Sequence, residues 1–136
     1  MSFVDGDRFL RRVDPHNQIK IVKDPSTGEA TAVLTSALFK FPRPVKLAAD
    51  RSRSSVDQGN GDDGIARARD RLVRDFPRGR LAAFLHIAAM SSGFVDELEP
   101  DAEPDNPDHC RLDHHDSREA FAALARMCQL ISDPPS

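Results

Sequence analysis

The chain has no tryptophan and no tyrosine, only two cysteines, no long apolar run and no excess of basic residues. Each absence excludes something. Aromatic packing rests on eight Phe, so aliphatic side chains must supply most of the core. Cys110 and Cys128 are too few for the disulfide framework of a small secreted domain. No segment approaches the roughly 18 apolar residues of a membrane-spanning helix. The opening "MSFVDGDRFL" lacks the basic-then-apolar order of a secretory signal. These two features predict a cytoplasmic protein without a membrane partner. A formal net charge of −3 argues against nucleic acid as a partner, because such binders usually carry a basic excess. "GNGDDG" has neither the Gly-Lys-Ser/Thr of a phosphate loop nor the ligand spacing of a calcium loop, and no Gly-x-Ser-x-Gly elbow occurs.

What is present fits one folded domain of 136 residues. The hydrophobic share of 39% lies below the globular norm of about 45–50%, which predicts one or two loose polar segments beside a real core. "DRFLRRVDP" reads as a short helix or strand that Pro15 ends. "QIKIVKD", "PSTG" and "EATAVLTSALFKF" form the clearest hairpin signal. Pro25 fixes φ in the turn, Gly28 suits a positive-φ position, and Ile19 and Ile21 alternate with Lys20. Phe39 and Phe41 alternate with Lys40, extending the second strand, and "PVKLAAD" predicts another. Residues 51–64 hold one apolar residue in fourteen and predict a flexible polar loop.

Ile65, Ala68, Leu72, Val73 and Phe76 fall on one helical face. "RLAAFLHIAAM" fits a buried central strand or a buried helix, and its bounds "FPRG" and "SSG" favour the strand; His86 within it is a buried or half-buried core histidine. Residues 96–108 are acidic and proline-rich and predict an exposed loop. Asp116 with Glu119 has the spacing of a capping box. Phe121, Leu124, Cys128 and Ile131 continue as one buried helical stripe until "DPPS". The sum is an α+β fold: a single domain with a mostly antiparallel sheet packed by two helices, and two long polar loops.

Charge is segregated along the chain. Asp96 to Asp108 carries seven acids and no base, while Ile65 to Arg80 carries six arginines against two aspartates. Arg67, Arg71, Arg74 and Arg78 have helical spacing and predict a basic surface stripe, solvated or steering towards the protein's own acidic loop.

"DNPDHCRLDHHDSREAF" concentrates three of the five histidines and one cysteine. A zinc site through Cys110, His114 and a distant ligand is one reading. If "HCRLDHH" is a strand, however, four residues span roughly 13 Å, too far for two ligands of one metal. The same geometry puts His109 and His115 on the face opposite Cys110 and His114. "LDHHDS" is similar to the opening of HNH nucleases, but the 21 residues after His115 contain neither the Asn nor the His that such a site requires. A third reading is an ADP-ribosyltransferase-like site. There Arg11 or Arg12 would grip a pyrophosphate, Ser36 would supply the serine, and Glu97 or Glu99 would stabilise an oxocarbenium. Glu-x-Glu arises in any acidic loop, so this motif lacks its structural context.

Asn106 and Pro107 predict a turn that sets His109 at the start of the last strand, its imidazole anchored by a neighbouring backbone or carboxylate group. Arg11, Arg12 and Val13, then Ser36 and Phe39, then Asn106, Pro107 and His109, resemble landmarks of a group of small bacterial proteins: an Arg-Arg-Val opening, a Ser-x-x-Phe strand and a late Asn-Pro-x-His. The resemblance spans most of the chain but implies no activity. This chain departs from it in Cys110, where that group has a small residue, and in its elaborated acidic loop. Arg11, Arg12, Ser36, Asn106 and His109 are the candidate binding residues. No catalytic set, cofactor or metal site is complete, and the segregated charge predicts a non-catalytic interaction or accessory module with a protein partner encoded nearby.

Overall fold

Alternation decides the opening segment. Phe9, Arg11 and Val13 point to one side and Leu10 and Arg12 to the other, and the segment is a strand, β1 (Arg8–Val13). In the computed structural model, which describes residues 3–40 and 43–131, β2 (Ile19–Lys23) and β3 (Ala30–Leu34) form the expected hairpin. Gly28 sits at φ 73° in its turn, a conformation that favours glycine. This hairpin is a two-stranded sheet of its own. The second strand does not run on to Phe39: Ser36–Phe39 is a 3-10 turn capped by the Thr35 hydroxyl, which buries Leu38 and Phe39. Phe41, like the terminal "DPPS", lies outside the described residues.

The remaining strands build one antiparallel sheet: β4 (Val45–Ala48), β5 (Arg51–Gln58), β6 (Arg80–Leu85), β7 (Val95–Pro100), β8 (His109–His115) and β9 (Gln129–Ile131), with β1. Its order is β7-β8-β5-β1-β6-β9, and β4 pairs with the near end of β5. Three helices accompany it among the described residues, one more than the two expected: α1 (Gly61–Asp75), the short additional α2 (His86–Ser91) and α3 (Arg118–Arg126). The fold is therefore α+β with a mostly antiparallel sheet, as the pattern predicts. No helix among the described residues is long and apolar enough to cross a membrane.

Several local expectations fail for identifiable reasons. Residues 51–58 are a strand inside the sheet, because Ser52, Ser54 and Val56 turn inward while Arg51, Arg53, Ser55 and Asp57 turn outward. Helix α1 begins at Gly61, within the supposed loop. A Cβ on Gly64 would stand 2.6 Å from the Gly59 carbonyl carbon, so the glycines let α1 start hard against the end of β5. Val73 faces solvent, although Ala68 and Leu72 are buried. "RLAAFLHIAAM" is a strand that becomes a helix at His86. The acidic segment opens with β7, which buries Leu98 against the core. Asp116 does not cap α3. Ser117 does, its hydroxyl accepting from the Ala120 N–H at 3.1 Å. The helix ends at Arg126, so Cys128 and Ile131 lie beyond it, the latter in β9.

The sheet has two different faces. Phe9, Val13, Val56, Phe84 and Leu112 pack with Leu38, Phe39, Phe121 and Leu124 into the larger core. On the other face Leu10 and Leu81 pack with Ala68 and Leu72 of α1 in a smaller one.

Candidate functional site

Strand β1 pairs with β6 along its whole length but with β5 only at Phe9–Gln58 and Leu10–Asp57. Beyond Leu10 the two strands part, and β4 occupies β5 only from Arg51 to Arg53. A split therefore opens in the middle of the sheet. Arg11 closes it from the larger-core side: Nε donates to the Leu38 carbonyl at 3.2 Å and NH1 to the Ser55 carbonyl at 2.7 Å. Its guanidinium lies over the Phe39 ring, 5.1 Å from the centroid. The residue is 3% exposed. Burial lowers its pKa to about 10, which leaves it a cation at neutral pH. Arg11 thus acts as a structural bolt across the split.

On the other face, above the same split, lies a cleft of about 340 Å³ between α1 and the acidic segment after β7. Arg11, Arg12, Asn106 and His109 all line it. Ser36 does not: it is exposed at the head of the 3-10 turn. The side chain of Arg12 reaches the Asp75 carboxylate at 3.5 Å, and Arg74 contacts the same carboxylate at 3.2 Å. Arg71, deeper in the cleft, reaches Asp57 at 3.3 Å and Asp108 at 3.2 Å. Asp57 also accepts from the Asn106 side-chain amide at 2.9 Å, and Arg67 donates to Asp108 at 2.9 Å. The basic helix therefore holds the protein's own acidic segment. Of the four arginines of the stripe, Arg67 and Arg71 turn to the protein's own acidic segment, one of the two alternatives for that face, while Arg74 pairs with its neighbour and Arg78 lies past the end of α1.

His109 opens β8, and its N–H donates to the Asn106 carbonyl. Its Nδ1 is 2.9 Å from the Asp101 carbonyl, with the Asp101 and Glu103 carboxylates at 3.5 and 3.9 Å. The Asn-Pro turn sets this position. His115, on the same face, lies 3.7 Å from Asp96. No protein-family model, curated protein or solved structure matches the chain.

The other candidate constellations do not assemble. Glu97 and Glu99 lie on the edge strand β7, three strand positions from β1, roughly 14 Å at the usual spacing. The Arg, Ser and Glu of a transferase-like site are thus dispersed. Cys110 and His114 share the inner face of β8 and are buried. Burial raises the Cys110 thiol to about 11, and it donates to the Asp108 carbonyl. Both ring nitrogens of His114 are engaged, Nε2 with the Ser54 hydroxyl at 2.7 Å and Nδ1 with the His115 carbonyl at 2.8 Å. No group of three or more metal-type side chains converges among the described residues.

One pairing escaped the linear pattern. The carbonyl can only accept, so Nδ1 of His114 carries the proton and Nε2 accepts from Ser54. A hydroxyl beside an imidazole base is the geometry that activates a nucleophile. Here Ser54 is 4% and His114 0% exposed, between the rings of Phe39 and Phe121, and neither lines the cleft. Burial lowers the pKa of His114 and favours the neutral ring. Next to this pair the Asp116 carboxylate accepts from Lys46, at 2.6 Å, and from the Ser52 hydroxyl. Those two donors hold its pKa below the ordinary value. The signal that marks both serines is their period of two along β5, Ser52, Ser54, Val56.

Proposed function

We propose that the protein is a non-catalytic protein-interaction module. The observation that carries this reading is the β2–β3 hairpin. Its root, Ile19 and Leu34, packs on the larger core, while Ile21 is 63%, Val22 43% and Val33 38% exposed. Ile21 belongs to one face of the ribbon and Val22 and Val33 to the other, by the pairing Ile21–Ala32 and Lys20–Val33. Isolated two-stranded ribbons are marginally stable in water. A ribbon that leaves β-branched side chains bare on both faces is suited to being covered by another chain. The dispersal of Arg12, Ser36 and Glu97 supports the same reading from the other side, since these three groups are out of catalytic reach of one another.

The test is affinity capture from the source cell with the wild type and an Ile21→Lys/Val33→Lys variant side by side. The products of neighbouring genes are the first candidates, and any captured protein is then re-measured as a purified pair. The expected result is a partner held by the wild type and lost, by tenfold or more in the order of magnitude set by about 1.4 kcal/mol, from the variant. A partner that binds both forms equally, or none with either, removes the proposal.

A further inference from the structure

The geometry points to the cleft above the sheet split as a receptor for an extended peptide segment carrying one basic and one acidic side chain about four residues apart, a spacing that puts both on one face of the segment. This rests on the interaction role proposed above and names a second contact, distinct from the hairpin. Four arginines and four carboxylates line the cleft, so its charges cancel. A polyanion such as a phosphate ester gains nothing net there, and neither does a lone cation. The charges are not evenly spread, however. On the β1 side Arg12 and Arg74, with side chains 45% and 61% exposed, share the single carboxylate of Asp75. Two guanidinium groups facing one carboxylate leave donors open to a second, and Arg binds carboxylates through paired N–H groups. On the β8 side Glu103 has only the His109 imidazole near it, at 3.9 Å, and Asp105 is exposed without an ion pair among the described residues. That rim is acidic.

Between the two rims Leu10, Ala68 and Leu72 line the floor beside Arg71, Asp57 and Asn106, which hold one another. Leu10 on β1 and His109 on β8 both stand beside Asp57 of β5, two strand spacings or roughly 10 Å apart, and Arg12 lies two residues further along β1, roughly 7 Å at the usual rise. The rims are therefore roughly 12 Å or more apart, which an extended chain covers in about four residues at 3.3–3.6 Å each. A free α-amino acid, whose charges lie much closer together, is too short to satisfy both rims. The segment that fits has an acidic side chain on Arg12 and Arg74, a basic one at Glu103 and Asp105, and small apolar residues between.

The test is an NMR titration of the isotopically labelled full chain with acetyl-Lys-Ala-Leu-Ala-Glu-amide. The comparison peptides are acetyl-Lys-Ala-Leu-Ala-Lys-amide and acetyl-Glu-Ala-Leu-Ala-Glu-amide. The mixed peptide is expected to shift the amides of Arg12, Arg74 and Asp105 saturably. It is expected to bind about fivefold or more tightly than either single-sign peptide, the scale of one exposed ion pair. Arg12→Gln/Arg74→Gln, at two exposed positions, is expected to reduce it to the level of the lysine peptide while the spectrum remains that of a folded chain. Equal binding of all three peptides, or no saturable shift, overturns the inference. If the hairpin variant loses a partner that Arg12→Gln/Arg74→Gln retains at full strength, the interaction role stands and the cleft has no part in it.

Discussion

Strand β5 and the β2–β3 hairpin are opposites in sequence and in position. "RSRSSVDQ" is polar, yet it lies inside the main sheet between β8 on one side and β1 and β4 on the other. "IKIVK" with "ATAVL" is rich in β-branched residues, yet it stands outside that sheet with most of its side chains exposed. Hydrophobicity alone would exchange them. The difference is in what each side chain meets. Ser52 and Ser54 are small enough to turn inward, and Asp116 and His114 satisfy their hydroxyls there. A buried polar group with its hydrogen bonds made carries little penalty, and unmade it is expensive. The hairpin has no such neighbours beyond Ile19 and Leu34.

The largest break in this comparison is expected at the bolt beside β5. Arg11→Ala strands the Leu38 and Ser55 carbonyls and empties the space over Phe39. A loss of about 3–4 kcal/mol is expected, from two charge-assisted bonds and the packing they hold, read from the urea unfolding midpoint. Its neighbour Arg12, exposed and at 3.5 Å from Asp75, is expected to change stability by less than about 0.5 kcal/mol on the same substitution.

The next effect is in pH. His114 is neutral in the fold and its pKa is lowered by burial from the ordinary 6.5. Below that value the unfolded chain takes up a proton that the folded chain refuses, so stability falls as pH drops through and below 6.5. The slope from this group cannot exceed about 1.4 kcal/mol per pH unit, the value for one proton. Asp116 works in a separate window. Its lowered pKa gives stability that is full above 3.8 and lost as pH falls further. Unfolding curves between pH 7 and 5 are expected to flatten in His114→Gln, with the loss below pH 4 retained. An unchanged slope in the upper window would show that His114 is not its source.

The smallest effect sharpens the contrast from the hairpin. Ile21→Ser, at a position 63% exposed, is expected to move the melting free energy by no more than about 0.5 kcal/mol. A loss several times larger would mean that the ribbon is already covered, for instance by another copy of the chain, and would show as a concentration-dependent melting temperature.

Much of the fold was legible because its signals are local. Ile19 and Ile21 with Gly28 mark the hairpin, Ala68 and Leu72 mark α1, and Phe121 with Leu124 marks α3. Strand β5 was illegible because its inward residues are serines, whose suitability depends on His114 and Asp116, each more than fifty residues away. Strand β7 hid behind a single buried apolar residue, Leu98. Of the candidate binding residues Arg11, Arg12, Ser36, Asn106 and His109, all but Ser36 line the cleft, and their convergence was not legible along the chain. What spacing along the chain does not carry is that β1 leaves β5 after Leu10. That departure turns Arg11 into part of the architecture and leaves Arg12 free to face solvent.

The same departure divides the sheet into two panels, β1-β6-β9 and β4-β5-β7-β8, joined along the strands by two residue pairs, by the hydrogen bonds between Arg8 and Gly59 at one end and by the Arg11 side chain. Elsewhere neighbouring strands are joined over longer ladders, such as the seven pairs between β5 and β8. A crack between cooperative units starts where the fewest hydrogen bonds must open. The seam also runs under the cleft, so a chain laid across both rims would act as a suture between the panels. Amides along Leu10 and Asp57 would then report occupancy of the cleft as slowed exchange, with no change in the shape of the molecule.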